Sequence, residues 1–531
     1  MPQALRSVRR KSSRGKHGLR QIYGQTLIML AGLLAVYQLI WSFFPDPETI
    51  DQSNALLPCI FILILGSAAY RSIQNRKASI WSPVFLIPIQ SAVFFGFGPL
   101  VEVFGSAATM DYLNRSIIDM RANELLRSNF LSTLGISFVM LGMWTHMSVF
   151  PGKWKVAGNR RGQRVVTKRA PFDPLYVALA FILFGGIFRH LILMPALWGM
   201  IDVVVAGVLS SVGAIVDVGF GLLAILIARG RRSLLPFFAL FWPAHVFLTV
   251  LSFAKAEILI ALLFPVIGFF AGNQNIRRLT TRLIIVGIVF GVSQEWVHHG
   301  RAVVFERTQT INEADYGERV EILFDYVINN GESDLVQDER QGWWTRLNYT
   351  RVQSFAMTAY DNGRPGDTLA SAWMYFIPRA IWSEKPILVS PGKAFYETVT
   401  GRNLNTFLGL SIYGDLYWQF GWNGLILGSF IIGILLSMLS WRSLNIMETE
   451  DFFRIPLVLI AFELAAISPT SFVVNGVIGQ LPIYVAYSIG VSCLYLVLRS
   501  KSGSRHHIYA RRGRAANFHS PAHVELAQLK R

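Results

Sequence analysis

"QTLIMLAGLLAVYQLIWSFF" (residues 25–44) contains no charged side chain. As a helix it would reach about 30 Å, the thickness of a bilayer's hydrocarbon core. The stretch predicts a membrane span, and similar runs recur along the chain. They are continuous rather than alternating, which excludes a β-barrel. Of 531 residues, 53% are hydrophobic and 15% charged, whereas a soluble domain carries about 25% charged side chains. The reading is an all-α polytopic membrane protein. The preceding "MPQALRSVRRKSSRGKHGLR" (1–20) has seven Lys/Arg and no acid. No small-residue cleavage signal follows, so residues 25–44 read as a retained first span rather than a signal peptide.

Apolar windows predict twelve spans, near 25–44, 55–70, 81–101, 130–149, 175–195, 211–228, 234–252, 257–272, 283–297, 421–441, 455–474 and 477–498. Pro58, Pro88 and Pro265 fall inside them, which membranes tolerate when neighbours satisfy the freed carbonyls. The stretch 188–211 reads either as an interfacial helix or as part of a broken span. With the N-terminus placed in the cytoplasm, the cytoplasmic pieces hold 33 of the 49 Lys+Arg but only 5 of the 32 Asp+Glu. That asymmetry is what the positive-inside rule demands, with both ends cytoplasmic. It also accounts for the net charge of +17 without nucleic acid as a partner. The two cysteines, Cys59 and Cys493, lie in apolar spans and imply neither a disulfide framework nor a metal site.

The organisation expected is a basic cytoplasmic N-terminus (1–24), nine spans (25–297), a large outer loop (298–420), three spans (421–498) and a basic cytoplasmic tail (499–531). Residues 298–405 of the loop hold 11 basic and 14 acidic side chains, with aromatic stretches that predict short helices resting on the membrane. Cations on this outer side run against the charge bias, so each needs a reason. Arg301, Arg346, Arg351, Arg379 and Lys385 lie in the loop. Arg346 and Arg351 are five apart, and on one helix would diverge by about 140°. Lys255 stands at the mouth of the eighth span, where it either binds an anion, snorkels, or pairs with Glu257. Arg379 and Lys385, in "FIPRAIWSEKP" (376–386), either bind an anion or pair with Glu384 or Glu397. A planar guanidinium fork suits a diphosphate, and a lysine adds a mobile point charge.

Asp415 sits just above the tenth span, either as a general base or sugar-hydroxyl acceptor or as an interfacial residue paired with an arginine. Tyr417 and Trp418 offer either an aromatic belt or stacking faces for sugar rings. His298 and His299, beside Glu295, close the ninth span; histidine is a natural base near neutral pH. No third ligand at recognisable spacing accompanies the pair, so no metal is expected. Asp217 and Glu463 are the acids expected deep in spans. Walker, G-x-S-x-G and H-E-x-x-H patterns are absent, as is D-x-D, and no cofactor is implied.

Over about 340–440 the chain resembles a known family. "TRLNYTRV", "GDTLASAWMYFIPRAIWSEKP" and "SIYGDLYWQFGWNGLILG", with "LSFAKAEILIALL" upstream, are similar to the motifs of bacterial oligosaccharide repeat-unit polymerases, the Wzy-type O-antigen polymerases. The resemblance implies a GT-C-like, metal-independent glycosyltransferase of the bacterial inner membrane. Its donor and acceptor would be undecaprenyl-diphosphate-linked oligosaccharides, joined at the periplasmic face during O-antigen, capsule or exopolysaccharide synthesis. A chain-length regulator protein would be a further partner. By position Arg346, Arg351, Arg379, Lys385, Lys255 and Arg301 would hold the diphosphate, and Asp415 or His298 or His299 would assist the acceptor hydroxyl. Aspartate stands at 415 where the family commonly has glutamate. An O-antigen ligase, and a transporter or flippase of lipid-linked sugars, are the competing readings.

Overall fold

The computed structural model describes residues 18–116, 120–154, 173–201, 212–273, 275–308, 314–328, 344–377, 382, 384–386, 390–401, 408–449, 451 and 454–493. Among them every regular element is helical. Eight helices are long and apolar enough to cross a membrane by length and composition. They are α1 (Leu19–Phe43), α2 (Pro47–Asn75), α3 (Pro83–Phe104), α5 (Ala122–Val149), α6 (Pro174–Leu197), α8 (Arg232–Val250), α14 (Ile412–Thr449) and α16 (Val474–Cys493). Three apolar stretches are shorter: α7 (Ile215–Ala228), α15 (Ile455–Thr470), and Glu257–Asn273 within α9 (Lys255–Asn273). The window predicted at 283–297 lies within α10 (Ile276–Thr308), a 33-residue helix that runs well past it. Large apolar side chains such as Ile28, Leu63, Leu183, Leu240, Ile288 and Leu427 point outward. In water such faces would associate; in a bilayer they are solvated by acyl chains.

Between α10 and α14 lie short helices, as the loop composition predicts: α11 (Tyr316–Ile328), α12 (Thr350–Asp361) and α13 (Pro391–Thr400). A further short helix, α4 (Ala107–Ser116), follows α3. Local chemistry sets the boundaries. Asp46 accepts a bond from Thr49 N at 2.8 Å ahead of Pro47, and Asp173 does the same for Leu175 N at 3.0 Å ahead of Pro174. A capping carboxylate followed by proline is a strong helix start.

Two groups of helices pack together. One gathers α1, α2, α3, α5, α14 and α15, with α12 against α5 and α14; the other gathers α6 to α10 around α7 and α9. Small residues let the backbones approach, as in other membrane bundles. A Cβ on Gly433 would lie 2.1 Å from Val139 O, and one on Gly142 2.1 Å from Phe430 O. In the second group a Cβ on Gly268 would lie 2.2 Å from Gly221 O. Helix α14 is broken at Gly421, whose φ of 62° and ψ of −151° leave the helical region. The break separates a buried turn bearing Asp415, Tyr417 and Trp418 from the long apolar rod behind it.

Candidate functional site

The residues singled out from sequence fall into two places. The first surrounds α12. Arg346 and Arg351 do not share a helix: Arg346 lies in a short 3-10 turn (Thr345–Leu347) and Arg351 in the first turn of α12. Between them Asn348 is extended, at φ −93° and ψ 116°, and its Oδ1 accepts from Thr350 N at 3.0 Å. Arg346 is exposed, whereas Arg351 is buried. Its Nε and Nη2 each donate to Glu102 at 2.8 Å, Nη1 donates to Leu113 O at 2.7 Å, and Nη2 also reaches Asn114 Oδ1 at 3.0 Å. Such a two-pronged buried ion pair anchors α12 to α3, and it takes the fork that the diphosphate was expected to use.

Asp415 is fully buried. Its Oδ2 accepts from Val473 N at 2.8 Å and its Oδ1 from Gln419 Nε2 at 3.3 Å. The carboxylate thus joins the start of α14 to the start of α16, a structural tie rather than an open base. Tyr417 and Trp418 are each 1% exposed, so neither presents a free ring face to a sugar. Tyr417 OH donates to Asp361 Oδ1 at 2.8 Å, and Arg127 Nη2 donates to both groups, at 2.7 Å to Asp361 and 3.1 Å to Tyr417. Trp418 Nε1 donates to Arg364 O at 3.1 Å, and its ring packs edge-on against Phe395. Lys385 Nζ donates to Ile377 O at 3.2 Å beside the Tyr375 ring. Arg379 lies outside the described residues.

The second place surrounds the N-terminus of α9, where Lys255 and His298 come together although 43 residues separate them, with His299 and Arg301 on the same helix as His298. The Lys255 ammonium meets His298 Nε2 at 2.6 Å, while Glu257, the partner that sequence spacing allowed, accepts from Arg189 Nη2 at 3.1 Å. The preceding turn carries Phe253 at φ 50°, a left-handed conformation that costs a non-glycine residue about 1–3 kcal/mol. Arg301 Nε donates to Phe253 O at 2.7 Å, and Arg319 Nη1 to Leu251 O at 3.1 Å. The Arg319 guanidinium also lies over the Trp198 ring at 4.1 Å. Burial pulls the Arg319 pKa down to about 10, so it remains a cation at neutral pH. His299 is buried with its ring 4.8 Å from that of Tyr326, and neither of its nitrogens has a partner among the described residues.

Deeper in the same group lies a network that the sequence reading missed. Glu257 Oε2 accepts from Arg189 Nη2 at 3.1 Å, and Arg189 Nη1 donates to Asp217 Oδ2 at 2.8 Å. His245 Nε2 meets Asp217 Oδ1 at 2.8 Å, and His245 Nδ1 meets His190 Nε2 at 3.1 Å. Arg189, His190, Asp217 and His245 are all buried. Asp217 was expected deep in a span; its partners were not. The signal was present, since "FRH" (188–190) puts a cation and an imidazole inside an apolar run, and polar side chains there are costly enough to mark a function. Among the described residues no cluster of His, Cys, Asp and Glu is arranged to hold a metal ion.

By fold the protein is an α-helical chain with membrane-spanning helices. No protein-family model, no curated protein and no solved structure matches it.

Proposed function

We propose that the protein is a membrane-embedded, metal-independent glycosyltransferase of the bacterial inner membrane. It would join undecaprenyl-diphosphate-linked oligosaccharide repeat units at the periplasmic face. The observation that carries the reading is the contact of Lys255 with His298 at one end of an apolar bundle, with Arg301 bonded to the strained turn just before Lys255. A lipid substrate needs its tail among acyl chains and its headgroup beside fixed cations. As the sugar–diphosphate bond breaks, negative charge grows on the leaving group, and cations in a water-poor site stabilise it most in the transition state. Arg351 is withdrawn from the diphosphate set because Glu102 holds it. Lys255 and Arg301 become its centre, with Arg346, Arg379 and Lys385 as further cations from the loop.

The test is reconstitution in liposomes with a lipid-linked repeat unit. A ladder of longer glycans that persists in chelator supports the reading, and a ladder abolished by chelator removes the metal-free part. Cells lacking the protein should carry single repeat units, seen as one rung on a gel. Loss of all glycan from the lipid core would favour a ligase.

The buried Arg189–Asp217 pair supports a second reading, a flippase of lipid-linked sugars, since ionised groups between spans are a habit of transporters. In the same liposomes a flippase moves the lipid-linked unit across the bilayer without lengthening it.

A further inference from the structure

We infer that Asp217, His245 and His190 form a proton relay whose free end, His190 Nδ1, is the general base for the attacking saccharide hydroxyl. The inference rests on the glycosyl-transfer reading and names the base which that reading lacks.

The polarity of the chain follows from hydrogen-bond logic. Arg189 donates to Asp217 at 2.8 Å, so the carboxylate is ionised and only accepts. His245 Nε2 must then carry the hydrogen that reaches Asp217 Oδ1. In a neutral imidazole the other nitrogen is an acceptor, so His245 Nδ1 receives the hydrogen on His190 Nε2. This leaves a lone pair on His190 Nδ1. That atom is buried, and it has no partner among the described residues. A buried acceptor without a donor is costly, and a saccharide hydroxyl is a donor that would satisfy it. A second observation points to the same place: His190 lies in a six-residue π-helical stretch, Phe188–Leu193, inside α6. Such bulges cluster at functional sites because they turn side chains out of the regular helical path. Tyr316 OH of α11 donates to His190 O, holding the bulge from outside.

The groups that face the relay are Arg189 on the same bulge, Glu257 from α9, Tyr316 and Arg319 from α11, and Glu463 from α15, which lies within electrostatic reach of Asp217 and Arg189. The step balances within the chain and its two substrates. The hydroxyl oxygen bonds to the anomeric carbon of the donor while the bond from that carbon to the lipid diphosphate breaks with its electron pair. The hydroxyl proton moves to His190 Nδ1, the Nε2 proton passes to His245 Nδ1, and the positive charge comes to rest beside Asp217. After the product leaves, the proton returns along the same path and departs to water from His190 Nδ1, which restores the starting tautomers. His190 is the catalytic residue; His245 and Asp217 are positioning residues.

The experiment uses the full chain in liposomes, with an undecaprenyl-diphosphate-linked repeat unit as probe and variants checked for retained folding by thermal unfolding. His190→Gln is expected to lower kcat about 10²–10⁴-fold with KM unchanged and to abolish the acid limb of the pH–rate profile. His245→Gln should lower kcat less and shift that limb. Independently of activity, NMR of protein carrying ¹⁵N-histidine should show His190 protonated at Nε2 and bare at Nδ1, and Asp217→Asn should change that pattern. A proton found on Nδ1, or a His190→Gln protein with the wild-type rate and pH profile, overturns the relay. If the wild type lengthens nothing, the glycosyl-transfer reading and the base assignment fall together, while the NMR arm still decides whether the relay exists.

Discussion

Arg351 and Arg189 have side chains that are each 5% exposed, and each is held by carboxylate; their surroundings differ in kind. Around Arg351 one guanidinium meets one carboxylate through two prongs, and a carbonyl and an amide take further hydrogens. Around Arg189 one guanidinium meets two carboxylates, and the chain continues through two imidazoles to an atom with an open lone pair. A closed network holds helices in place, whereas an open one can take up a ligand or a proton. Residue type and depth are the same in both places, so neither identifies a site; what identifies it is whether the polar chain terminates.

The sharpest way to break the comparison is at Arg351. Arg351→Ala leaves the buried Glu102 carboxylate with the Asn348 amide as a donor but without the Arg351 charge, and should destabilise the protein by about 3–5 kcal/mol, read as a fall in thermal midpoint in detergent. The double variant Arg351→Met with Glu102→Gln should recover most of that loss and retain glycan lengthening. A folded double variant with no activity would return Arg351 to the donor site. Next, Lys255→Ala should cost about 2.7–4 kcal/mol in the barrier with little change in thermal midpoint, measured as kcat in liposomes. An unchanged rate would move the cation site away from α9.

Smaller effects separate packing from chemistry. Gly433→Val should cost about 1–3 kcal/mol of stability, since its Cβ would meet Val139 O, and residual activity should track the folded fraction. Tyr417→Phe removes bonds with Asp361 and Arg127 and should cost about 0.5–1.5 kcal/mol of stability with KM for the lipid-linked sugar unchanged. A raised KM would restore the sugar-stacking role that burial speaks against.

The helical, lipid-facing character of the chain was legible in residues 25–44 and their like, because burial in a bilayer is written in composition and length. The meeting of Lys255 with His298 was legible only as two separate oddities, each a polar group at the edge of a span. Arg351 was misleading because its partner, Glu102, lies 249 positions away, and nothing local to "TRLNYTRV" announces it. Asp415 drew attention as an acid above a span, yet its oxygens are taken by Gln419 and by a backbone amide at Val473. The Arg189 network escaped for the opposite reason: its members are spread over four apolar windows, and each looks like an isolated exception until the helices are packed.

The pairing of α5 with α14 has a consequence for how the chain is made. Gly142 waits for Phe430 and Gly433 for Val139, so nearly three hundred residues must leave the ribosome between the two halves of one interface. At about 5–20 residues per second that is roughly 15–60 s. During that interval the notched face of α5 lacks the helix that fills it, and this interface closes only when α14 arrives.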